Sequence, residues 1–159
     1  DVNVHEVLER VMTLIASEHR EAVKLTRDYD PSLPPISADP DQLMQALLNI
    51  TRNAVQSIAQ DGHVIFRTRA LTNFPIGAIR HKLVLSIEIE DNGPGVPADL
   101  AESIFYPLVT GRPDGTGLGL PISQDLVSRH GGLIEYQSRP GRTVFTVRLP
   151  AVAPAPEVA

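Results

Sequence analysis

The chain has 159 residues, of which 42% are hydrophobic and 21% are charged, a composition typical of one globular domain. Its net charge of −5, with both signs interspersed, argues against a surface that attracts nucleic acid or anionic membranes over its whole area, so any affinity for polyphosphate must be local. It contains no cysteine, which excludes disulfides and thiolate metal sites, and it shows neither an apolar run long enough to span a bilayer nor a signal-peptide pattern.

The first third of the chain predicts two helices and a strand. Apolar residues recur at helical spacing from Val4 to Ala16, and Ala22–Arg27 is typical of a short strand. A second helix is predicted over Pro40–Ala59, with proline at its first position and either Ser37 or Asp39 as its N-cap.

The middle of the chain predicts a pair of strands. Residues 63–72 and 82–90 have strand patterns, and we expect residues 73–81, with a proline and a glycine, to form the loop between them. Isoleucine and glutamate alternate in the second strand, which predicts one buried and one exposed face: Ile87 and Ile89 against Glu88 and Glu90.

The last third predicts two helices and a hairpin. A short helix is expected at residues 97–103, and a longer one at residues 118–130 that ends at Gly131-Gly132. Residues 133–138 and 143–149 are typical of the two strands of a hairpin.

Asn49 and Asn53 stand four residues apart on the second predicted helix, so their side chains share one face. They lie among apolar positions, where an unpartnered amide is costly, and a carboxamide oxygen is a hard ligand suited to Mg²⁺. For such a pair alone, hydrogen bonds to neighbouring backbone are the more frequent explanation. The glycine motifs downstream shift the balance towards a metal site.

The first glycine motif, Asp91-Asn92-Gly93-Pro94-Gly95, directly follows a predicted strand. An aspartate at a strand end can accept a hydrogen bond from an exocyclic amine such as that of adenine. Gly93 and Gly95 leave room for a flat base to approach the backbone. Taken alone, the motif is equally compatible with an ordinary turn.

The second glycine motif, Gly115-Thr116-Gly117-Leu118-Gly119-Leu120, leads into a predicted helix, where free backbone N–H groups and the helix dipole favour phosphate. It is neither a Walker A loop nor a Rossmann fingerprint. The preceding polar segment, Phe105–Asp114, suits a lid over a ligand. From it Arg112 could reach a phosphate or remain a solvated surface charge.

The order of these motifs resembles the catalytic ATP-binding domain of sensor histidine kinases, in the wider group that includes DNA gyrase and related ATPases. An asparagine helix is followed by Asp91–Gly95, a phenylalanine-containing segment, Gly115–Leu120 and finally the glycine–threonine strand at Pro140–Thr143. The resemblance runs from about Ser37 to Pro150. It implies binding of ATP and Mg²⁺ and transfer of the γ-phosphoryl group to a histidine.

By this resemblance Asn53 would be the Mg²⁺ ligand, and Asn49 would be a neighbour of the phosphates or the metal. Asp91 would bind the adenine amine, and Thr143 would reach the same base through water or its hydroxyl. Asn49, Asn53 and Arg112 form the implied catalytic set. The implied nucleotide site is completed by a residue that anchors the lid, by a lid threonine and by the two glycine motifs: Phe105, Thr110, Gly93, Gly95, Gly115, Thr116, Gly117, Leu118 and Gly119.

Three other segments resemble the nitrogen-regulation branch of these kinases: Arg27–Pro34, Asp39–Gln42 and Phe105–Arg112. The branch implies a cytoplasmic bacterial two-component kinase with a response regulator of the nitrogen-regulation type and a PII-type signal protein as partners. Neither nucleic acid nor a membrane is an expected partner, and the isolated domain is expected to be a monomer.

The implied fold is the Bergerat ATP-binding fold, an α+β, two-layer α/β sandwich whose mixed, mostly antiparallel sheet carries its helices on one face. We expect residues 1–36 to lead from a dimerisation region into the domain, residues 37–150 to form its core and residues 151–159 to be a disordered tail. The start at Asp1, without methionine, suggests a fragment of a longer chain.

Asn49 favours a kinase over an ATPase. In the hydrolysing relatives a glutamate one turn before the metal asparagine activates water, whereas Asn49 cannot act as a general base. The phosphoacceptor is expected on a separate dimerisation domain, because His5-Glu6 is not followed by the asparagine–proline that the family places after its histidine.

Two departures from the family pattern concern phosphate charge. Gln56 stands where many of these kinases carry lysine or arginine, so Arg52 or Arg112 would have to meet that charge. The lid is short and lacks the usual Thr-Thr-Lys. Three alternatives stay open at this point: an ATPase of the same fold, a serine kinase of the anti-sigma type and a non-catalytic nucleotide-binding regulatory module.

Overall fold

The computed structural model describes residues 1–18, 23–58, 61–94 and 119–151. These residues form three helices and five strands, in the order α1 Val4–Glu18, β1 Val23–Asp28, α2 Pro40–Gln56, β2 Gly62–Ile76, β3 Ile79–Asp91, α3 Gly119–Arg129, β4 Leu133–Arg139 and β5 Arg142–Pro150. Within the described part of the chain, no helix is long and apolar enough to cross a membrane. The short helix expected at 97–103 and the tail beyond residue 151 lie outside the described residues.

The five strands form one sheet in the order β1-β2-β3-β5-β4. β1 pairs with β2 in parallel, and the other three pairings are antiparallel. The expected mixed, mostly antiparallel sheet is therefore confirmed.

The hydrophobic core lies between one face of this sheet and the helices. One row of the inner face crosses four strands, because Phe66 pairs with Ile89, Ile89 with Phe145, and Phe145 with Tyr136. The core cluster joins this face to buried side chains of all three helices, including Leu8 of α1 and Leu47 of α2. The sheet thus carries its helices on one face, as the expected two-layer sandwich requires.

The opposite face of the sheet carries ion pairs that cross the strands. The Arg67 guanidinium lies 3.2 Å from Asp28, 3.0 Å from Glu88 and 3.5 Å from Glu90. Glu90 also lies 3.0 Å from Arg142. The alternation predicted for the second strand is confirmed, since Ile87 and Ile89 are buried while Glu88 and Glu90 are partly exposed.

The expected loop at residues 73–81 is wrong. β2 continues to Ile76 and β3 begins at Ile79, so the connection is a two-residue turn. Gly77 in this turn has a φ of 59°, and Asn73 bends β2 with a φ of 51°. The polar and proline residues that suggested a loop are accommodated because this end of the ribbon extends beyond the last pairing with β5, Val84 with Pro150.

The helix bounds match their predictions to within a turn, and the structure decides between the two proposed N-caps of α2. The Asp39 side chain accepts hydrogen bonds from the backbone N–H groups of Asp41 and Gln42, and Pro40 occupies the first helical position. At the other end of the chain, α3 stops at Arg129, and Gly131 follows with a φ of 74°.

A substitution at Gly132 tests how tightly α3 is packed against β5. A Cβ at this position would lie 2.5 Å from the Arg148 carbonyl oxygen and 2.9 Å from side-chain atoms of Leu149 and Val127. Gly132→Ala should therefore lower the free energy of unfolding by about 1–3 kcal/mol in urea titrations. Gly77→Asn is the matched control, because Gly77 has open space around it and asparagine tolerates a positive φ. Equal stability of the two variants would contradict this packing.

Candidate functional site

Asp91 lies at the end of β3, where the apolar core gives way to a polar row. Two residues along the strands from the Phe66 row, Asp91 pairs with Val64 on one side and with Thr143 on the other. The Asp91 side chain faces the helices and only 3% of the residue is exposed. Burial raises its pKa to about 6, the Gly93 N–H opposes this and the nearby Glu90 adds to it. A carboxylate that is ionised at neutral pH but shielded from water is a strong acceptor for an N–H donor.

Gly93 brings the end of α2 against this carboxylate. Its N–H donates to Asp91 Oδ1 at 2.9 Å. A Cβ on Gly93 would lie 2.9 Å from Ser57 Oγ, 3.0 Å from Asp91 Oδ1 and 3.3 Å from the Ser57 carbonyl oxygen. Since Ser57 is the C-cap of α2, only a residue without a side chain permits this approach.

The β4–β5 turn lies on the other side of Asp91. We call the surroundings of this carboxylate, formed by Gly93, Ser57, Gly141 and Thr143, the Asp91 pocket. The Gly141 N–H donates to the Gly93 carbonyl at 2.9 Å. Thr143 is 3% exposed, and its hydroxyl lies 2.8 Å from Ser138 Oγ. The structure therefore brings Thr143 next to Asp91 and Gly93, which the sequence had singled out in a different motif.

The N-terminus of α3 lies beside the asparagine face of α2. Ser123 Oγ donates to the Ala46 carbonyl at 2.9 Å, and the Asp39 N–H donates to His130 Nε2 at 3.0 Å. The two contacts are seven residues apart in both segments, from Asp39 to Ala46 and from Ser123 to His130. The helices α2 and α3 therefore run antiparallel in a one-to-one register. Continuing this register by one turn places Gly119 level with Ile50, between Asn49 and Asn53.

The two asparagines and Ser57, the residue of α2 beside Asp91, thus lie on successive turns of that helix. Ser57, beside Asp91, follows Asn53 by one turn, and Asn49 precedes Asn53 by one turn. From Asn49 to Ser57 the helix rises about 12 Å. The remaining predicted site residues lie outside the described residues: Gly95, Phe105, Thr110, Arg112, Gly115, Thr116, Gly117 and Leu118.

Two residues of this site were not assigned a role from the sequence. Ser57 is recognisable only by its position one turn after Asn53 on the same helix face. The Asn92 side chain accepts from the His63 N–H at 2.8 Å and donates to the Asp61 carbonyl at 2.9 Å, which ties the motif to the start of β2. The turn propensity of Asn-Gly was the signal available for Asn92, and its partners are distant in sequence.

Arg52, one of the two candidates for meeting phosphate charge, is engaged elsewhere in this structure. Its Nη2 lies 2.7 Å from Glu18 Oε1, at the last residue of α1. This ion pair joins α1 to the helix that carries the asparagines.

A family model described as histidine kinase-, DNA gyrase B- and HSP90-like ATPase matches residues 38–153. The chain belongs to this family. Among curated relatives, the sensory histidine kinase/phosphatase NtrB of Escherichia coli O157:H7 is 49% identical over 149 residues, which cover 93% of this chain and 43% of the relative. The NtrB of Rhodobacter capsulatus is 43% identical over 158 residues, covering 96% of this chain and 44% of the relative. The chain therefore spans less than half the length of the curated relatives it matches.

Solved structures of histidine kinases have the same fold as this domain. The catalytic domain of histidine kinase ThkA superposes with a TM-score of 0.79 at 25% identity, covering 94% of this chain and 93% of that one. Full-length ShkA in complex with AMPPNP gives a TM-score of 0.78 at 30% identity, covering 98% of this chain and 32% of that one. The resemblance to sensor histidine kinases found in the sequence is confirmed.

The buried Asp91 predicts a specific pH dependence of stability in the nucleotide-free domain. Its folded-state pKa of about 6 is above the ordinary 3.8, so the folded state keeps a proton that the unfolded state has lost between these values. The contribution of Asp91 to stability is therefore present at low pH and is lost as pH rises through about 6. The free energy of unfolding of Asp91→Asn, relative to that of wild type, should therefore increase by up to about 3 kcal/mol between pH 4 and pH 7.

Urea denaturation of both proteins at several pH values measures this difference. Asp125→Asn, which removes an exposed carboxylate from α3, is the control for the loss of one negative charge. Parallel pH profiles for Asp91→Asn and wild type would contradict the burial of this carboxylate.

Proposed function

We propose that this domain binds MgATP and transfers the γ-phosphoryl group to a histidine on a separate domain of a nitrogen-regulation sensor kinase. The observation that carries the proposal is the placement of a buried acceptor, Asp91, and a helix N-terminus, that of α3, along the same face of α2. The span between them suits an extended nucleoside triphosphate, with its base at one end and its phosphates at the other.

The Asp91 end of the site fits adenine. The carboxylate can accept the exocyclic N–H of the base, and such a bond inside a buried pocket is stronger than in water. Thr143 lies next to Asp91 across the strands and offers a hydroxyl to the same ring. The backbone of Gly93 leaves a flat surface against which the base can lie.

The α3 end of the site fits phosphate and Mg²⁺. The first N–H groups of a helix have no partner within the helix, and its dipole favours an anion. Asn53 would supply one carboxamide oxygen as the metal ligand, with Asn49 beside it. Among the described residues, no cluster of three or more histidine, cysteine or carboxylate side chains could hold a metal ion. Mg²⁺ binds substrate phosphates and keeps several waters, so a single carboxamide ligand from the protein suits it. When bound, Mg²⁺ would neutralise charge on the β- and γ-phosphates.

Asn49 favours phosphoryl transfer over hydrolysis. It stands one turn before Asn53 on the same face, and an amide cannot take a proton from water. A neutral imidazole needs no such base, because its nitrogen attacks the γ-phosphorus directly. The N–P bond forms, the bond from the γ-phosphorus to the bridging oxygen breaks, and ADP leaves.

The wider context of the proposal follows from the NtrB relatives, of which this chain matches less than half. In the full protein the domain would serve a cytoplasmic two-component kinase, with a dimerisation domain that carries the acceptor histidine and a response regulator that receives the phosphoryl group. A PII-type signal protein would regulate it.

A trans-phosphorylation assay tests the function directly. The domain is incubated with γ-labelled ATP and a separately supplied dimerisation domain from an NtrB relative. We expect acid-labile label on the dimerisation domain and none on this chain. Asn53→Ala should reduce the transfer at least about a hundredfold, because it removes charge stabilisation of the transferring phosphoryl group.

Gln45→Ala is the matched control for this assay, because it removes an exposed side-chain amide from the same helix. It should transfer label at close to the wild-type rate. Acid-stable label would indicate a serine kinase, and rapid ATP hydrolysis without transfer would indicate an ATPase. Equal transfer by wild type and Asn53→Ala would contradict the assigned role of Asn53.

A further inference from the structure

His130 joins the end of α3 to the start of α2. Its Nδ1 lies 2.8 Å from the Leu126 carbonyl oxygen, and its Nε2 lies 3.0 Å from the Asp39 backbone nitrogen. A carbonyl only accepts and a backbone N–H only donates, so the ring is neutral with its proton on Nδ1. The histidine is thereby the link between the last turn of α3 and the N-cap of α2.

This link lies at the opposite end of α3 from the proposed phosphate site. The Ser123 contact with Ala46 lies between the two ends, four residues from Gly119 and seven from His130. If α3 pivots about that contact as a rigid rod, a displacement at His130 moves Gly119 by about 0.6 of that amount in the other direction. The position of α3 at His130 is therefore transmitted to its N-terminus, the end nearest Asn49 and Asn53.

Apolar packing alone does not fix the tilt of α3 about the Ser123 contact. Leu126 and Val127 of α3 are buried in the core and hold the helix against α2 and the sheet. Such contacts are non-directional, whereas hydrogen bonds are directional. The Ser123 bond fixes one point of α3, and the His130 bonds fix a second point and so its tilt.

We propose that His130 is a positioning residue for the phosphate end of the nucleotide site. It holds α3 at the tilt that directs the N–H groups at its N-terminus towards the β- and γ-phosphates, while the adenine pocket around Asp91 does not depend on it. The inference rests on the proposed nucleotide binding and adds a residue about 16 Å along α3 from the site.

Two substitutions separate the two hydrogen bonds of the ring. The amide oxygen of His130→Gln can occupy the position of Nε2 and accept from the Asp39 N–H. The amide nitrogen of His130→Asn can occupy the position of Nδ1 and donate to the Leu126 carbonyl, but the shorter side chain does not reach Asp39. His130→Phe keeps the ring and removes both bonds, and it serves as a second loss variant if His130→Asn does not fold.

Isothermal titration calorimetry with AMPPNP plus Mg²⁺ and with adenosine measures the effect. In His130→Asn and His130→Phe we expect the affinity for AMPPNP to fall about five- to tenfold and that for adenosine to change less than about twofold. His130→Gln should restore most of the AMPPNP affinity. A residue with a merely structural role would change both ligands together.

Each other outcome overturns the inference. If wild type binds AMPPNP and the folded loss variants bind it equally well, the inference fails and the proposed function stands. If the variants lose adenosine and AMPPNP in the same proportion, His130 only stabilises the fold. If wild type binds neither ligand, the proposed function fails and the inference fails with it.

Discussion

The close contact between the end of α2 and the backbone of Gly93 is the constraint on which the rest of the site depends. One face of α2 is buried in the core, with Leu47 and Ile50 fully covered. Its C-cap, Ser57, lies where a side chain at position 93 would be, so the helix can approach the end of β3 closely. Because a helix has a fixed rise, this one contact also sets the distance from the Asp91 pocket to the two asparagines.

The electrostatics of the site explain how an acidic chain can offer a place for a polyphosphate. The chain carries a net charge of −5, and Arg52, the arginine next to Asn53, is paired with Glu18. The phosphate end relies on the N–H groups of α3 and on neutral amides, whose effect is local. At the other end burial raises the pKa of Asp91 only to about 6, so the carboxylate remains an acceptor at neutral pH.

Local rules in the sequence predicted the described helices, a cap for α2 and the polar end of β3. The apolar spacing predicted α1 and α2, and the Asp91 motif predicted a polar strand end. A cap before Pro40 was also predicted, and the structure chose Asp39 over Ser37. The length of the β2–β3 ribbon was missed, because Pro75 and Gly77 signal a loop while pairing across the hairpin overrides that signal. His130 could not be assigned from sequence, since its partner Asp39 is 91 residues away and their contact depends on the packing of two helices.

The most direct measurement of the central claim is a crystal structure of this domain with AMPPNP and Mg²⁺. The account predicts that Asp91 accepts a hydrogen bond from the exocyclic amine of adenine, that the carboxamide oxygen of Asn53 coordinates Mg²⁺, and that the first N–H groups of α3 point at the phosphates. A nucleotide bound elsewhere, or bound here with its base away from Asp91 and its phosphates away from α3, would contradict it.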